Sequence, residues 1–336
     1  MVLKVQQAEG IEEGVREASL RFEVEVERIH AAMEEHVQSR VPRLEEIARY
    51  SLLGEGKRLR PLLFVLSARL CGAREDGLYR YAGIFEAIHA ASLLHDDVLD
   101  NAESRRKKPS AGRVWGNHAA VIGGDFLFSK FLGLAVEGGR IPFLETLVRT
   151  TTRMAEGQML EAAHTNNWGL TREDYMEIIT AKTAVLISAA CSCGALLAEA
   201  GEKETECLGR FGLALGTAFQ LIDDLLDYTS TQEVFGKPVG KDLREGKITL
   251  PLILTLARME QGEAAALEAR FQSGPFRDED VDMVIRRVRN AGGLDEIQEE
   301  ARCQAHRAEK ALTELPDSPI RQDLLILNRR LLTRSF

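Results

Sequence analysis

One short pattern occurs twice in this chain and restricts what it can become. Leu94-His95-Asp96-Asp97-Val98-Leu99-Asp100 and Leu221-Ile222-Asp223-Asp224-Leu225-Leu226-Asp227 both read Asp-Asp-x-x-Asp with apolar spacers. Each lies in a segment whose apolar residues recur every three or four positions, the period of a helix. Residues three and four apart share a helix face, so each run gathers its carboxylates on one surface. Like charges that close repel and call for counter-charge. A solvated face accounts for one such run. Two matching runs on long apolar helices need a shared partner, and a set of divalent cations is the economical one.

The rest of the chain offers helices and little else. Pro is scarce at 9 residues and Ala, Leu and Glu abound, a balance that favours helix. Helices are expected over Val15 to Gln38, Leu44 to Leu53, an apolar stretch ending at Leu70, Leu78 to Asp100, Asn117 to Val136 and Pro142 to Ala163. Another starts at Thr171, with Glu173 and Asp174 in its first turn, and Lys182 to Ala200 and Glu204 to Tyr228 come next as a pair. Leu250 to Met259, Ala264 to Gln272, Asp278 to Asn290, Leu294 to Leu312 and Ser318 to Arg334 complete the series. Asn101 to Gly112 and Phe235 to Lys247 read as polar, basic loops. No Pro- or Ser-rich linker divides the chain, so all 336 residues are expected to form one all-α domain, with 1–15 as a loosely ordered lead-in.

Charge and cysteine content narrow the class. A net charge of −9 argues against nucleic acid, because phosphate backbones call for a basic surface. Met1 to Glu13 lacks the apolar core of a signal peptide. The weakly polar run Thr183 to Ala198 is short for a membrane span and reads as a core helix. Cys71, Cys191, Cys193, Cys207 and Cys303 show no zinc-like spacing and fit buried thiols in a reducing cytoplasm.

Mg2+ takes one or two carboxylates and fills its shell with water and substrate phosphate oxygens. Two acidic triads facing each other across a cavity would hold several such ions and leave sites for a diphosphate. The basic residues fall where that reading wants them. Lys57, Arg58 and Arg60 sit at a Gly-rich turn entering a helix, where backbone N–H groups also favour anions. Arg105, Arg106, Lys107 and Lys108 lie just after the first acidic run, and Lys237, Lys241, Arg244 and Lys247 after the second. His89 lies two turns before Asp96 on the same face.

Gly56-Lys57-Arg58-Leu59-Arg60-Pro61, the first acidic run with Arg105-Arg106, Lys182-Thr183, Phe219-Gln220 before the second run, and Gly236-Lys237 with Lys247 together resemble the trans-polyprenyl diphosphate synthases. The match in order and spacing covers roughly residues 40 to 260. The resemblance implies a single-domain α-helical bundle around a central cavity, homodimeric and cytoplasmic, without a membrane span. It implies Mg2+, three ions per site, held by Asp96, Asp100 and Asp223, with Asp97, Asp224 and Asp227 as further ligands or supports. Arg105, Lys182, Thr183, Gln220, Lys237 and Lys247 would hold an allylic diphosphate, farnesyl or geranyl, and Lys57, Arg60, His89 and Arg106 isopentenyl diphosphate. Lys107 stands where the family commonly has Gly.

The same resemblance places chain-length control at the fourth and fifth positions before the first Asp, where bulky groups stop elongation. Here those are Ser92 and Ala91, both small. At about 1.5 Å per residue, Ile88, Ile84 and Tyr81 lie roughly 12, 18 and 22 Å from Asp96. Phe126, Phe128 and Phe131 are candidates for an opposing wall or floor. A long product around octaprenyl is expected, such as a quinone side-chain precursor. The alternatives are a farnesyl or geranylgeranyl synthase, a terpene cyclase, or a non-catalytic subunit of a heteromeric synthase. A cyclase has no use for Lys57 and Arg60, and a subunit would lack some of these Asp or Arg residues, all of which are present.

Overall fold

Helix succeeds helix along the chain, as its composition predicts. The structure, a computed structural model, describes residues 2–54, 56–74, 77–105, 108–229, 239–272 and 277–332, with side chains from residue 16 onward. The predicted residues Arg106, Lys107, Gly236 and Lys237 therefore lie outside the described residues.

The helices are α1 (Val2–His36), α2 (Pro42–Leu52), α3 (Leu59–Leu70), α4 (Leu78–Leu99), α5 (Ala111–Trp115), α6 (Asn117–Glu137), α7 (Ile141–Ala163), α8 (Arg172–Ile179), a π turn (Thr180–Ala184), α9 (Val185–Leu197) and α10 (Glu202–Thr229). After them come α11 (Lys241–Arg244), α12 (Leu250–Arg258), α13 (Gln261–Gln272), α14 (Asp278–Asn290), α15 (Leu294–Thr313) and α16 (Pro319–Leu332).

Four differences from the sequence reading stand out. α1 begins at Val2 rather than Val15: Leu3, Lys4, Gln6, Gln7, Ala8, Glu9, Glu12 and Glu13 favour helix despite Gly10 and Gly14, but lack the apolar period used to find it. The expected break before Lys182 does not occur: α8 runs into α9 through the π turn. The first basic loop contains a two-residue antiparallel ladder, Ser104–Arg105 with Lys108–Pro109, and then α5, whose Ser110 cap accepts the Arg113 N–H at 3.3 Å. The second contains the single turn α11. Thr171 caps α8 as predicted, its hydroxyl accepting the Asp174 N–H at 3.1 Å.

Contacts group the chain into two units. The first is Met1–Val148, Ala189–Arg210 and Ala311–Arg329. α4 is its axis and touches α1, α2, α3, α5 and α6. Its side chains are buried almost all round, from Leu78 through Ile84, Phe85 and Ile88 to Leu94. Such all-round burial marks a core helix, each large apolar side chain contributing about 1.5–3 kcal/mol. Ala18, Phe22, Ile29 and Met33 of α1 pack as a stripe at helical spacing. α6 lies close against α4 through small residues. A Cβ on Gly83 would stand 3.0 Å from the Phe131 ring, and one on Gly124 would strike His95. Gly83 meets Phe131 and His95 meets Gly124, so the two helices run antiparallel.

The second unit is Arg149–Ser188, Phe211–Lys310 and Arg330–Phe336. In it α12 touches α8 and α14. The π turn is clasped by two glycines: a Cβ on Gly157 of α7 would stand 2.7 Å from the Lys182 nitrogen, and one on Gly216 of α10 the same distance from Ala184 Cα. Only hydrogen at both positions allows backbones so close.

Among the described residues, two helices are long and apolar enough to cross a membrane. One is Arg172–Leu197, 67% buried and thus a core helix; the other is α6, 39% buried.

Candidate active site

The acidic runs fall one in each unit. In the first, α4 ends at Leu99 and Asp100 caps it, its N–H donating to the Asp96 carbonyl at 2.8 Å. Asp96 and Asp100 share a face at the i, i+4 spacing, while Asp97 points about 100° away. Asp97 is accordingly claimed by protein. Its Oδ1 accepts the Arg105 Nε–H at 2.7 Å and pairs with the other guanidinium nitrogen at 2.6 Å. The Ala102 N–H also closes onto the Asp97 carbonyl at 2.8 Å, folding the post-helix strand back beside the run. Arg105 is thus a cation anchored to the acidic run by its second carboxylate.

The turn carrying Lys57 and Arg60 is fixed by the residue between them. Arg58 adopts the left-handed conformation (φ 50°) at the head of α3 and turns inward. Its guanidinium pairs with Glu86 of α4 at 2.8 Å, the two side chains only 3% and 6% exposed, and donates to the Gly54 carbonyl. Arg58 therefore leaves the anion-binding cluster in which the sequence reading placed it, because Glu86 neutralises it in the core. His89 lies one helical turn beyond Glu86, so this ion pair brings the Lys57–Arg60 turn and His89 onto one stretch of α4. Lys57 is exposed, and Arg60 and His89 are half-buried.

Around His89, Ile88 and Ala91 are buried and Ser92 is half-buried, its hydroxyl donating to the His89 carbonyl at 2.9 Å. The antiparallel register sets Phe128, four residues after Gly124, on the face of α6 turned to α4 near Ile88 to Ser92, whereas Phe126, two residues after Gly124, falls on the opposite face. Both rings are half-buried. Further along, Tyr81, Phe85 and Phe143 form an aromatic cluster with centroids about 6 Å apart (6.1 and 6.3 Å to Phe143).

In the second unit the acidic run lies near the end of α10. Asp223 is half-buried, whereas Asp224 and Asp227 are each only 3% exposed. Both Asp224 oxygens are occupied: Oδ2 accepts the Tyr175 O–H at 2.6 Å and Oδ1 the Gln220 Nε2–H at 2.7 Å. The Gln220 carbonyl in turn accepts the Thr183 hydroxyl at 3.1 Å. Burial pushes the Asp224 carboxyl up to about 7, and Asp223 and Asp227 add to the rise; the Tyr175 and Gln220 hydrogen bonds oppose it. Asp227 takes the backbone N–H groups of Lys241 and Asp242 at 3.2 and 3.1 Å and so pins the start of α11. Burial, then Asp227 and Asp224, push the Asp242 carboxyl well above its ordinary range.

Two more cations of the predicted set are held by glutamates. Lys182, in the π turn, pairs with Glu161 of α7 at 2.5 Å. Lys247 pairs with Glu245 at 2.7 Å, and Glu245 also takes Lys241 at 3.0 Å. Burial works against the Glu245 charge, but Lys247 and then Lys241 outweigh it and hold the carboxyl below its usual range. Arg105–Asp97, Lys182–Glu161 and Lys247–Glu245 repeat one device: a carboxylate that aims a cation.

Tyr175, Asp242, Glu161 and Glu86 escaped the sequence reading. Asp242 alone had a signal, since it stands among the lysines of a run read only for its cations. The others carry no motif, because their partners are distant in sequence.

The donor set suits a hard cation. Its groups are carboxylate oxygens without thiolate or imidazole, and among the described residues no three acidic, His or Cys side chains converge into a closed cage. Mg2+ needs only one or two carboxylates and leaves the remaining positions to water and phosphate oxygens. The acidic runs fit it.

Comparison with known proteins bears on the chain as a whole. The polyprenyl synthetase family profile matches residues 41–288. The chain is 37% identical to octaprenyl diphosphate synthase of Escherichia coli (strain K12) over 297 residues, 88% of this chain and 92% of that protein. It is 31% identical to geranylgeranyl diphosphate synthase of Methanosarcina mazei over 314 residues, 92% of this chain and 95% of that one. The crystal structure of polyprenyl synthase from Caulobacter crescentus CB15, complexed with calcium and isoprenyl diphosphate, aligns with a TM-score of 0.90 at 37% identity, covering 95% and 97% of the two chains. An all-α fold of this kind with two Asp-rich runs defines a metal-dependent prenyltransferase. The chain belongs to the polyprenyl synthetase family and is a trans-prenyl diphosphate synthase.

Proposed function

We propose that this enzyme adds isopentenyl diphosphate head-to-tail and repeatedly to an allylic diphosphate, farnesyl or geranyl, and stops near the octaprenyl length. The observation that carries the length is the pair Ala91 and Ser92: small side chains just ahead of Asp96, with Phe128 on the face of α6 turned to α4. A small lining there leaves room for a chain that a bulky one would stop. The identity with the Escherichia coli octaprenyl enzyme supports the same length.

In this reading Asp96, Asp100 and Asp223 hold Mg2+, with Asp97, Asp224 and Asp227 supporting them. Bound Mg2+ supplies charge neutralisation to the departing diphosphate. Arg105, Lys182, Thr183, Lys237 and Lys247 bind the allylic diphosphate, and their anchoring glutamates and Asp97 keep the cations aimed before substrate arrives, which lowers the reorganisation needed at the transition state. Gln220 orients Thr183. Lys57, Arg60, His89 and Arg106 bind isopentenyl diphosphate. The allylic C–O bond breaks, the isopentenyl double bond forms the new C–C bond, and a proton leaves. The released diphosphate is base enough to take it, so no side-chain base is required.

A second copy of the chain is the proposed partner, in a cytoplasmic homodimer. Val121, Ile122 and Val136 of α6 are exposed apolar side chains. The five cysteines are free thiols, but only Cys191, Cys193 and Cys207 are buried as expected; Cys71 is half-buried and Cys303 exposed. Incubation with isopentenyl diphosphate, farnesyl diphosphate and Mg2+, with chromatography of the products, should give chains centred on octaprenyl. Absence of elongation would overturn the reaction; products ending at geranylgeranyl would overturn the length. Asp96→Asn or Asp223→Asn should lower turnover by orders of magnitude, and near-normal turnover in both would remove the metal assignment.

A further inference from the structure

Tyr175 is a fully buried hydroxyl with no part in the reaction above. It stands on α8, and its O–H donates to Asp224 Oδ2 at 2.6 Å. Asp224 and Gln220 are four residues apart on α10, so they share a face and bond to each other at 2.7 Å. Thr183 reaches the same face through Gln220 at 3.1 Å. Tyr175 and Thr183 are eight residues apart, which in an unbroken α-helix would set them about 80° out of phase. The extra residue of a π turn rotates the downstream helix by about 100° and brings Thr183 round to the Tyr175 side. The π turn thus lets one helix grip α10 at two points, Thr183 at Gln220 and Tyr175 at Asp224.

The consequence falls on Asp223. Asp224 is its immediate neighbour and bears carboxyl oxygens that would compete for the same cation. With both oxygens taken by neutral donors, the Asp224 carboxylate is fixed off the Asp223 face. The same contacts lock the roll of α10 relative to the turn bearing Lys182 and Thr183.

We propose that Tyr175 is a positioning residue: through Asp224 and Gln220 it fixes the second acidic run and the diphosphate-binding π turn as one unit, and so sets the affinity for Mg2+ with diphosphate. The inference rests on the metal reading above. Isothermal titration of Mg2+ into the full-length protein with inorganic diphosphate tests it without turnover. Tyr175→Phe should weaken Mg2+ binding about 10–100-fold, the range for residues that orient metal ligands. Gln220→Met, which removes the other donor, should do the same if Tyr175→Phe does not fold. In an Asp224→Asn background Tyr175→Phe should add little, because residues acting through one group are non-additive. Kinetically, KM for the allylic substrate should rise while that for isopentenyl diphosphate stays within about twofold, since Arg60 lies on α3 and His89 on α4. Unchanged Mg2+ affinity in Tyr175→Phe, or a full additive loss on top of Asp224→Asn, would overturn the inference. Asp223→Asn is the separate control: unchanged Mg2+ affinity there would overturn the metal reading itself.

Discussion

Glu86→Gln is the sharpest probe of how the proposed isopentenyl diphosphate site is built. The substitution keeps the side-chain shape and leaves a buried guanidinium without counter-charge. The Arg58–Glu86 pair is 2.8 Å long, with side chains 3% and 6% exposed. Breaking such a pair by removing one partner costs about 3–5 kcal/mol. Arg58 retains its bond to the Gly54 carbonyl, so the lower end of that range, about 3 kcal/mol, is expected. Equilibrium urea unfolding reads it directly. The double variant Arg58→Met with Glu86→Leu should recover most of the stability, because apolar isosteres often replace a buried pair at little loss. It should not recover function. Without the pair, the Lys57–Arg60 turn is no longer tied to α4, and KM for isopentenyl diphosphate should rise in both variants while KM for the allylic substrate holds. A loss below about 1 kcal/mol in Glu86→Gln would refute the reasoning, since that is the worth of a solvated surface pair.

Gly216→Ala sets a methyl 2.7 Å from Ala184 Cα and should destabilise by about 1–3 kcal/mol while raising KM for the allylic substrate; an unchanged KM would separate the π turn from substrate binding. Ala91→Phe should shorten the product, and an unchanged product distribution would remove Ala91 from the tunnel wall. Burial opposes ionisation of Asp280, but Arg270 and Arg277 outweigh it and hold the carboxyl below its ordinary 3.8. Its stabilisation is therefore present above that value and lost as the pH falls through the depressed folded one. Melting temperatures of wild type and Asp280→Asn should differ at neutral pH and converge in acid; a constant gap would show that the ion pairs are not its source.

The acidic runs could be found without coordinates because helical period is local. A helix turns about 100° per residue whatever surrounds it. The spacing of Asp96 to Asp100 therefore fixes their common face, and Asp97 must leave it. The Thr171 cap was legible for the same reason, its hydroxyl reaching an N–H only three residues on. The basic residues beside each run were equally visible as sequence neighbours.

What the chain alone left undecided is which partners within the protein hold these charges. Three basic residues at the turn before α3 read alike, yet Arg58 is turned into the core by Glu86, 28 positions away. Two adjacent carboxylates in the second run read alike, yet Asp224 is closed by Tyr175, 49 positions away, while Asp223 is half-buried. The π turn at Lys182 has no breaker in its own sequence. It sits where Gly157 and Gly216 let two other helices come within backbone distance. Sequence spacing determined the faces of the helices, because backbone geometry is local. Tertiary structure decided the role of each charge on those faces, because burial and counter-charge come from residues far along the chain.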